Sequence, residues 1–132
     1  MKRIFLYLLL VLLCFTACAP TNPETEPTGE AVYLNITAQE AKALMDSESG
    51  YIILDTRTQE EYDEGHIPGA ILIPHDQIRQ QAPQLLADKN QLILVYCRSG
   101  RRSKLAAEEL VKLDYTNIRE FGGILDWPYE VQ

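Results

Sequence analysis

The sequence predicts an α/β domain in which a mostly parallel sheet carries helices on both faces. Two observations support this fold class. From about Val32 onward, short apolar runs typical of buried strands alternate with segments of helical pattern. Two of the helical segments open with a capping box, a Thr followed three residues later by a Glu. Strands separated by helices pair in parallel, because each crossover returns the chain to the same end of the sheet.

The first half of the domain alternates helices with strands. Thr37 and Glu40 form the first capping box, which opens a helix that extends to about Glu48. Thr58 and Glu61 form the second, which opens a short helix that stops at Gly65. The strands predicted in this half are residues 51–54 and 71–73.

The second half continues the alternation. Residues 77–87 are a weaker helical stretch that we expect to break at Pro83, whose ring and missing N–H disfavour a helix interior. The elements that follow are a strand at 92–96, a helix from Ser103 and a strand at 117–121. Ligands of parallel α/β sheets bind outside the carboxyl ends of the strands, and Asp55 and Cys97 both lie at that edge.

Cys97 stands where a predicted strand ends and a loop leads into a helix. In such a turn the backbone N–H groups of the loop can point at the sulfur, and the first helical turn adds partial positive charge. Both effects favour the thiolate over the thiol. The sequence therefore predicts that Cys97 is a nucleophile.

Three arginines follow Cys97 closely: Arg98, Arg101 and Arg102. Cations just ahead of a helix N-terminus oppose the helix dipole by about 0.3 to 1 kcal/mol each, so they do not serve helix stability. They suit a cationic cup that holds an anionic substrate beside the sulfur. The alternative is a solvated basic turn around a buried, inert cysteine.

The N-terminus indicates export and lipidation. Lys2 and Arg3 precede an apolar stretch at 4–15, which is shorter than the roughly 17 to 25 residues of a membrane span and is typical of a secretory signal. The sequence Phe15-Thr-Ala-Cys18 resembles a bacterial lipobox, which predicts a lipid on Cys18. We therefore expect an exported protein, anchored to the cell envelope on the periplasmic or outer cell-surface side.

These features divide the chain into three parts. Residues 1–17 are the predicted signal peptide, 18–31 a Pro-rich flexible tether and 32–132 one domain. Removal of residues 1–17 takes away Lys2 and Arg3 and moves the formal charge from −7 to −9. An acidic surface argues against nucleic acid as a partner, and the predicted membrane contact is the lipid on Cys18.

Cysteine usage narrows the chemistry further. After processing and acylation of Cys18, Cys97 is the only free thiol, so no intramolecular disulfide can form. The single thiol must carry a group, attack a substrate or pair with another molecule. His66 and His75 lack the spacing of zinc ligands, and the sequence predicts no metal.

Five segments in order make the chain resemble a single-domain rhodanese. They are Leu54-Asp-Thr-Arg57, Glu61-Tyr62, Gly65-His-Ile-Pro-Gly-Ala-Ile71, the loop that starts at Cys97, and Gly122-Gly-Ile-Leu-Asp-Trp127. The resemblance implies a five-stranded sheet flanked by helices, and a Cys97 that accepts sulfur as a persulfide. It implies that the anion cradle comprises Arg98, Ser99, Gly100, Arg101, Arg102 and Ser103, with Ser103 as the helix cap. It also implies that Asp55 and Arg57 brace the loop.

The predicted activity is sulfur transfer from thiosulfate, or a related small anionic donor, to a thiol or cyanide-like acceptor. It needs no metal or organic cofactor, and we expect a monomer. Two alternatives stay open. One is an oxyanion enzyme such as a phosphatase or arsenate reductase. Phosphatases of this fold use a loop of seven positions from Cys to Arg, whereas the loop from Cys97 to Arg102 has six and the seventh residue is Ser103. The other is a non-catalytic module that binds a partner.

Gly122 and Gly123 are expected to let the chain pass closely by the loop.

Overall fold

The computed structural model describes residues 32–132. The predicted signal peptide, the predicted lipidation site at Cys18 and the predicted tether lie outside the described residues. The strands are β1 (Leu34–Asn35), β2 (Ile52–Asp55), β3 (Ile71–Leu72), β4 (Ile93–Cys97) and β5 (Ile118–Gly123). The helices are α1 (Ala38–Ser47), α2 (Gln59–Glu64), α3 (Ile78–Leu85) and α4 (Arg101–Lys112).

The five strands form one sheet in the order β1-β5-β4-β2-β3, and every neighbouring pair is parallel. This confirms the predicted fold class and the number of strands. After β2 the chain crosses to β3 on one side, and after β4 it crosses to β5 on the other. Because these connections diverge, the switch point of the sheet lies at the carboxyl ends of β2 and β4, which is where such sheets bind ligands.

Helices cover both faces of the sheet, as predicted. On one face α3 and α4 pack against β2, β4 and β5 through fully buried side chains that include Ile78, Val95 and Leu110. On the other face α1 packs through Ala41 onto Leu94 and its neighbours. The central strand β4 is buried along its whole length, which explains why its sequence is a continuous apolar run.

Both predicted capping boxes are present. The Thr37 hydroxyl accepts from the Glu40 N–H while the Glu40 carboxylate accepts from the Thr37 N–H, and Thr58 and Glu61 make the same exchange at the start of α2. Each box satisfies N–H groups that a helix N-terminus leaves without partners. Within residues 32–132, none of the helices has the length and apolar character needed to cross a membrane.

Two local expectations are wrong. Pro83 does not break the helix, because α3 continues through it to Leu85 while the fully buried Ile78 and Ala82 hold the helix on the sheet. Ser103 is not the helix cap, because α4 begins at Arg101 and is capped by Gly100. Gly100 adopts a φ of +98°, a left-handed conformation that favours glycine.

Candidate active site

Cys97 is the last residue of β4, at the carboxyl edge of the sheet. It is the one free cysteine among residues 32–132, and its side chain is buried. The chain turns directly after it, so that the Gly100 N–H donates to the Cys97 sulfur at 3.0 Å. The left-handed conformation of Gly100 then leads the chain from the loop into α4.

The loop makes the thiol more acidic than an ordinary cysteine. Burial alone would raise the pKa of Cys97, but hydrogen-bond donors outweigh it and the pKa is lowered. These donors are chiefly groups of Ser103, followed by the N–H groups of Gly100 and Ser99, and the Gly100 N–H makes the direct hydrogen bond to the sulfur. The site therefore favours a buried thiolate, which is the reactive form of cysteine.

Gly123 allows β5 to pass directly beneath this loop. A Cβ at this position would lie 2.0 Å from the Arg98 carbonyl oxygen and 2.6 Å from the Ser99 Cα. The Leu125 N–H donates to the same Arg98 oxygen at 3.3 Å, which ties the loop to the segment after β5. The predicted close approach is confirmed at Gly123, where only glycine fits, whereas a Cβ at Gly122 would meet no atom within 4 Å.

The three loop arginines are not equivalent. Arg102 forms a forked ion pair with Glu61 of α2, with both N–O distances at 2.7 Å. Arg98 and Arg101 have exposed side chains at the mouth of the loop. Arg102 therefore holds the loop to α2, whereas Arg98 and Arg101 are free to meet an anion that arrives from solvent.

The Arg102–Glu61 pair makes acid stability depend on pH. Its hydrogen bonds are the main reason that the pKa of Glu61 falls from 4.5 to about 2. Because folding lowers this pKa, the pair stabilises the fold above pH 4.5, and the contribution is lost as the pH falls towards about 2. In Arg102→Ala, we expect the carboxyl NMR titration of Glu61 to move up towards 4.5 and acid unfolding to begin at higher pH.

Arg79→Ala is the matched control for that prediction. It breaks an ion pair between α3 and Glu109 of α4, in which the arginine side chain is 65% exposed and Glu61 takes no part. We expect this control to leave the Glu61 titration unchanged. A Glu61 pKa that stays near 2 in Arg102→Ala would contradict the role assigned to the pair.

Asp55 and Arg57 form a buried pair at the carboxyl end of β2. Arg57 donates to both Asp55 carboxylate oxygens at 2.7 to 3.0 Å and to the Gly65 carbonyl oxygen at 2.7 Å. The Tyr96 hydroxyl donates to Asp55 at 2.6 Å and accepts from the Ile67 N–H. The pair thus fixes Tyr96, the residue before Cys97, and the chain at 65–67.

Sequence reasoning missed two further residues at the site. The Thr56 N–H and hydroxyl both donate to the Tyr96 carbonyl oxygen, at 3.0 and 2.9 Å, and so hold the peptide that precedes Cys97. Glu120 of β5 is buried below the loop and accepts from the Ser103 hydroxyl at 2.6 Å. Glu120 could have been noticed in the sequence, because it is a charged residue within a predicted strand and charged residues are rarely buried without a partner.

The remaining candidates lie elsewhere. Trp127 is part of the core on the α1 face, where its ring packs against Phe121 and Tyr129. His66 stacks on the Tyr62 ring at a centroid distance of 3.8 Å, and His75 begins a short turn before α3. Across residues 32–132, no three His, Cys, Asp or Glu side chains group closely enough to hold a metal ion.

Comparison with known proteins places this site in a family. Residues 37–129 match the family described as Rhodanese-like domain. The thiosulfate sulfurtransferase PspE of Escherichia coli (strain K12) is 37% identical over 73 residues, which cover 55% of this chain and 70% of PspE. Thiosulfate sulfurtransferase 18 of Arabidopsis thaliana is 34% identical over 103 residues, which cover 68% of this chain and 74% of that protein.

The solved structures agree with the sequence relatives. A rhodanese with anions from E. coli superposes with a TM-score of 0.59 at 33% identity, covering 62% of this chain and 96% of that chain. Several other relatives extend well beyond the match, which takes in 20% to 49% of their length. The activities of those larger proteins therefore do not transfer to this chain. The family match, the fold and the six-residue cysteine loop show together that this chain belongs to the rhodanese-like domain family.

Proposed function

We propose that this protein is a sulfurtransferase that moves sulfane sulfur from thiosulfate, or a related donor, to a thiophilic acceptor through a persulfide on Cys97. The observation that carries the proposal is the buried Cys97 sulfur with the Gly100 N–H aimed at it from 3.0 Å. The thiosulfate sulfurtransferases among the relatives support the choice of donor. The lowered pKa of Cys97 supports its role as the nucleophile.

The reaction takes two displacements at sulfur. The Cys97 thiolate attacks the outer sulfur of thiosulfate, a new S–S bond forms, and the old S–S bond breaks with its electron pair leaving on sulfite. Cyanide or a thiolate then attacks the outer sulfur of the persulfide, and Cys97 leaves as a thiolate. The N–H groups of Ser99, Gly100 and Ser103 stabilise negative charge on Cys97 at the start and end of this cycle.

The exposed side chains of Arg98 and Arg101 suit the dianionic donor. Both arginines stand at the mouth of the loop, where their positive charge is set in a chain of formal charge −7. Charge-assisted hydrogen bonds from guanidinium groups would hold the sulfonate oxygens of thiosulfate while its outer sulfur meets Cys97. One solved relative is described as a rhodanese with anions, which supports an anionic donor.

Arg101→Ala tests the anion contact. A hydrogen bond to a charged group contributes about 1.5 to 3 kcal/mol, so we expect kcat/KM for thiosulfate to fall roughly 10- to 100-fold. The expected change in stability is small because the side chain is exposed. Lys104→Ala removes an exposed charge of the same sign from the same helix and should leave kcat/KM nearly unchanged. Equal activity of wild type and Arg101→Ala would contradict the contact.

The proposed function is tested by turnover of the full chain. With thiosulfate and cyanide, we expect thiocyanate to form, and Cys97→Ser to form none. Hydrolysis of phosphate esters or reduction of arsenate without thiocyanate formation would favour the oxyanion enzyme instead. Partner binding that survives Cys97→Ser, with no turnover by wild type, would favour the non-catalytic module.

We propose that the chemistry takes place outside the cytoplasm on a lipid-anchored protein. The supporting features are the basic start, the apolar stretch at 4–15 and the lipobox-like sequence that ends at Cys18. Labelling of expressing cells with a palmitate analogue tests this proposal. Label that is lost in Cys18→Ser supports the anchor, and an unlabelled, uncleaved wild-type chain would contradict it.

A further inference from the structure

The ion pair between Arg102 and Glu61 uses the part of the arginine that binds oxyanions. Both terminal nitrogens of Arg102 donate to the two Glu61 carboxylate oxygens, each at 2.7 Å. This is the geometry in which a guanidinium group binds a carboxylate or a phosphate through two parallel hydrogen bonds. The Glu61 carboxylate therefore fills the position that an oxyanion would take on this arginine.

The structure holds this pair firmly. The two side chains are 17% and 24% exposed, so salt screens the pair less than it screens one on an open surface. The Thr58 N–H donates to the same carboxylate at 3.0 Å, which fixes Glu61 in the capping box of α2. With a pKa of about 2, Glu61 is ionised at neutral pH. The positive charge of Arg102 is thus compensated there.

Arg102 is part of the active loop by its position. It lies in the first turn of α4, directly after Arg101 at the mouth of the loop and directly before the buried Ser103. The pKa of Arg102 is raised chiefly by its hydrogen bonds to Glu61, and the negative charge of Cys97 raises it further. Without Glu61, the loop would present three guanidinium groups to an anion instead of two.

We propose that Glu61 is a specificity-determining residue, which occupies the guanidinium group of Arg102 and so withholds it from tetrahedral oxyanions such as phosphate. The exposed Arg98 and Arg101 each keep one positive charge, and together they balance the two negative charges of thiosulfate. A third guanidinium group would strengthen the binding of phosphate.

The same group would also strengthen the binding of sulfite, the leaving group of the proposed reaction. Interactions that hold substrate and product equally well do not speed the chemical step, so the pair favours release of sulfite. The inference deepens the proposed function: its statement about sulfite rests on that function, whereas its statement about phosphate does not.

The test is the affinity of the full chain for inorganic phosphate, measured by calorimetry at neutral pH. In Glu61→Gln, we expect the dissociation constant to fall about 10-fold, because Arg102 loses its anionic partner and can bind the phosphate. Glutamine also serves in a capping box, so α2 keeps its N-terminal cap. In the double variant of Glu61→Gln and Arg102→Ala, the released guanidinium group is gone, and the affinity should return to that of wild type.

Glu60→Gln is the matched control. It removes the same charge from the neighbouring position of α2, where the residue is exposed and belongs to no ion pair within residues 32–132. We expect this variant to bind phosphate as wild type does. An unchanged dissociation constant in Glu61→Gln would overturn the proposal. An equal gain in Glu60→Gln, or a gain that persists in the double variant, would overturn it as well.

Wild type gives a second readout that does not depend on any variant. When phosphate is added, the carboxyl NMR signal of Glu61 should stay in place because Arg102 remains paired with it, and a shift that saturates with phosphate binding would overturn the proposal. In the turnover assay, sulfite should inhibit Glu61→Gln at a concentration about 10-fold lower than wild type, and equal inhibition would contradict the role in sulfite release. If wild type forms no thiocyanate, the proposed function fails, while the phosphate measurements still decide the role of Glu61.

Discussion

Gly123→Ala is expected to abolish most sulfur transfer, although it adds only one methyl group. Gly123 has a φ of −130°, which alanine adopts without strain, so the effect must come from space alone. The new Cβ would lie 2.0 Å from the Arg98 oxygen and 2.4 Å from the Arg98 carbonyl carbon. Both are backbone atoms, so no side-chain rotation relieves the overlap, and the loop must move away from β5.

A displaced loop would turn its N–H groups away from Cys97. Loss of one preorganised donor costs about 10²- to 10³-fold in rate, and overpacking costs about 1 to 3 kcal/mol in stability. Thiocyanate formation and urea unfolding measure the two effects. Gly50→Ala is the control for thiocyanate formation, because its added methyl lies ahead of β2 with no atom within 4 Å; its positive φ of +71° strains alanine, so some stability is lost while activity is kept. Wild-type activity in Gly123→Ala would show that the close approach is not needed.

Asp55→Asn is expected to give the largest loss of stability. Asp55 is fully buried and accepts from Arg57 and from the Tyr96 hydroxyl. Removal of its charge leaves the Arg57 guanidinium buried opposite a neutral amide, and breaking a buried pair in this way costs about 3 to 5 kcal/mol. For a domain of this size, the expected fall in Tm is on the order of 10 to 20 °C.

Asp46→Asn is the matched control for the buried pair. It removes the same charge from an ion pair with Lys42 in which the aspartate side chain is 62% exposed. Exposed pairs contribute about 0 to 1 kcal/mol, so calorimetry should show little change. If the two variants melt at similar temperatures, Asp55 and Arg57 do not brace the site as the structure indicates.

Local sequence signals were sufficient for most of the fold. The capping boxes at Thr37 and Thr58 rely on residues three positions apart, and the apolar run before Cys97 reflects burial of β4 on both faces. Such signals depend on neighbours along the chain, so they can be read without the structure. The position of Cys97 at the end of its strand followed from the same reasoning.

The start of α4 shows where local signals were insufficient. Serine is a preferred capping residue, and the resemblance to the family implied that Ser103 caps the helix. In the structure, Gly100 caps α4 in a left-handed conformation while its N–H donates to Cys97, and Ser103 lies in the first helical turn. The requirements of the sulfur site, rather than the capping preference of serine, set where the helix begins.

The partners of the loop could not be predicted because they are distant in sequence. Glu61 and Arg102 are 41 residues apart, and Ser103 and Glu120 are 17 residues apart. Each contact depends on how two elements pack together, and this packing cannot be read from local patterns in a single sequence. The sequence therefore identified three arginines as one cluster, whereas packing assigns Arg102 to Glu61 and leaves Arg98 and Arg101 exposed.

The most direct test of the central claim is the mass of the intact chain after treatment with thiosulfate. We expect the reduced protein to gain the mass of one sulfur atom, to lose it on addition of cyanide, and to show neither change in Cys97→Ser. Peptide mapping should place the added sulfur on Cys97. A mass that stays constant under both treatments, with Cys97 shown to be reduced, would contradict the assignment of this protein as a sulfurtransferase.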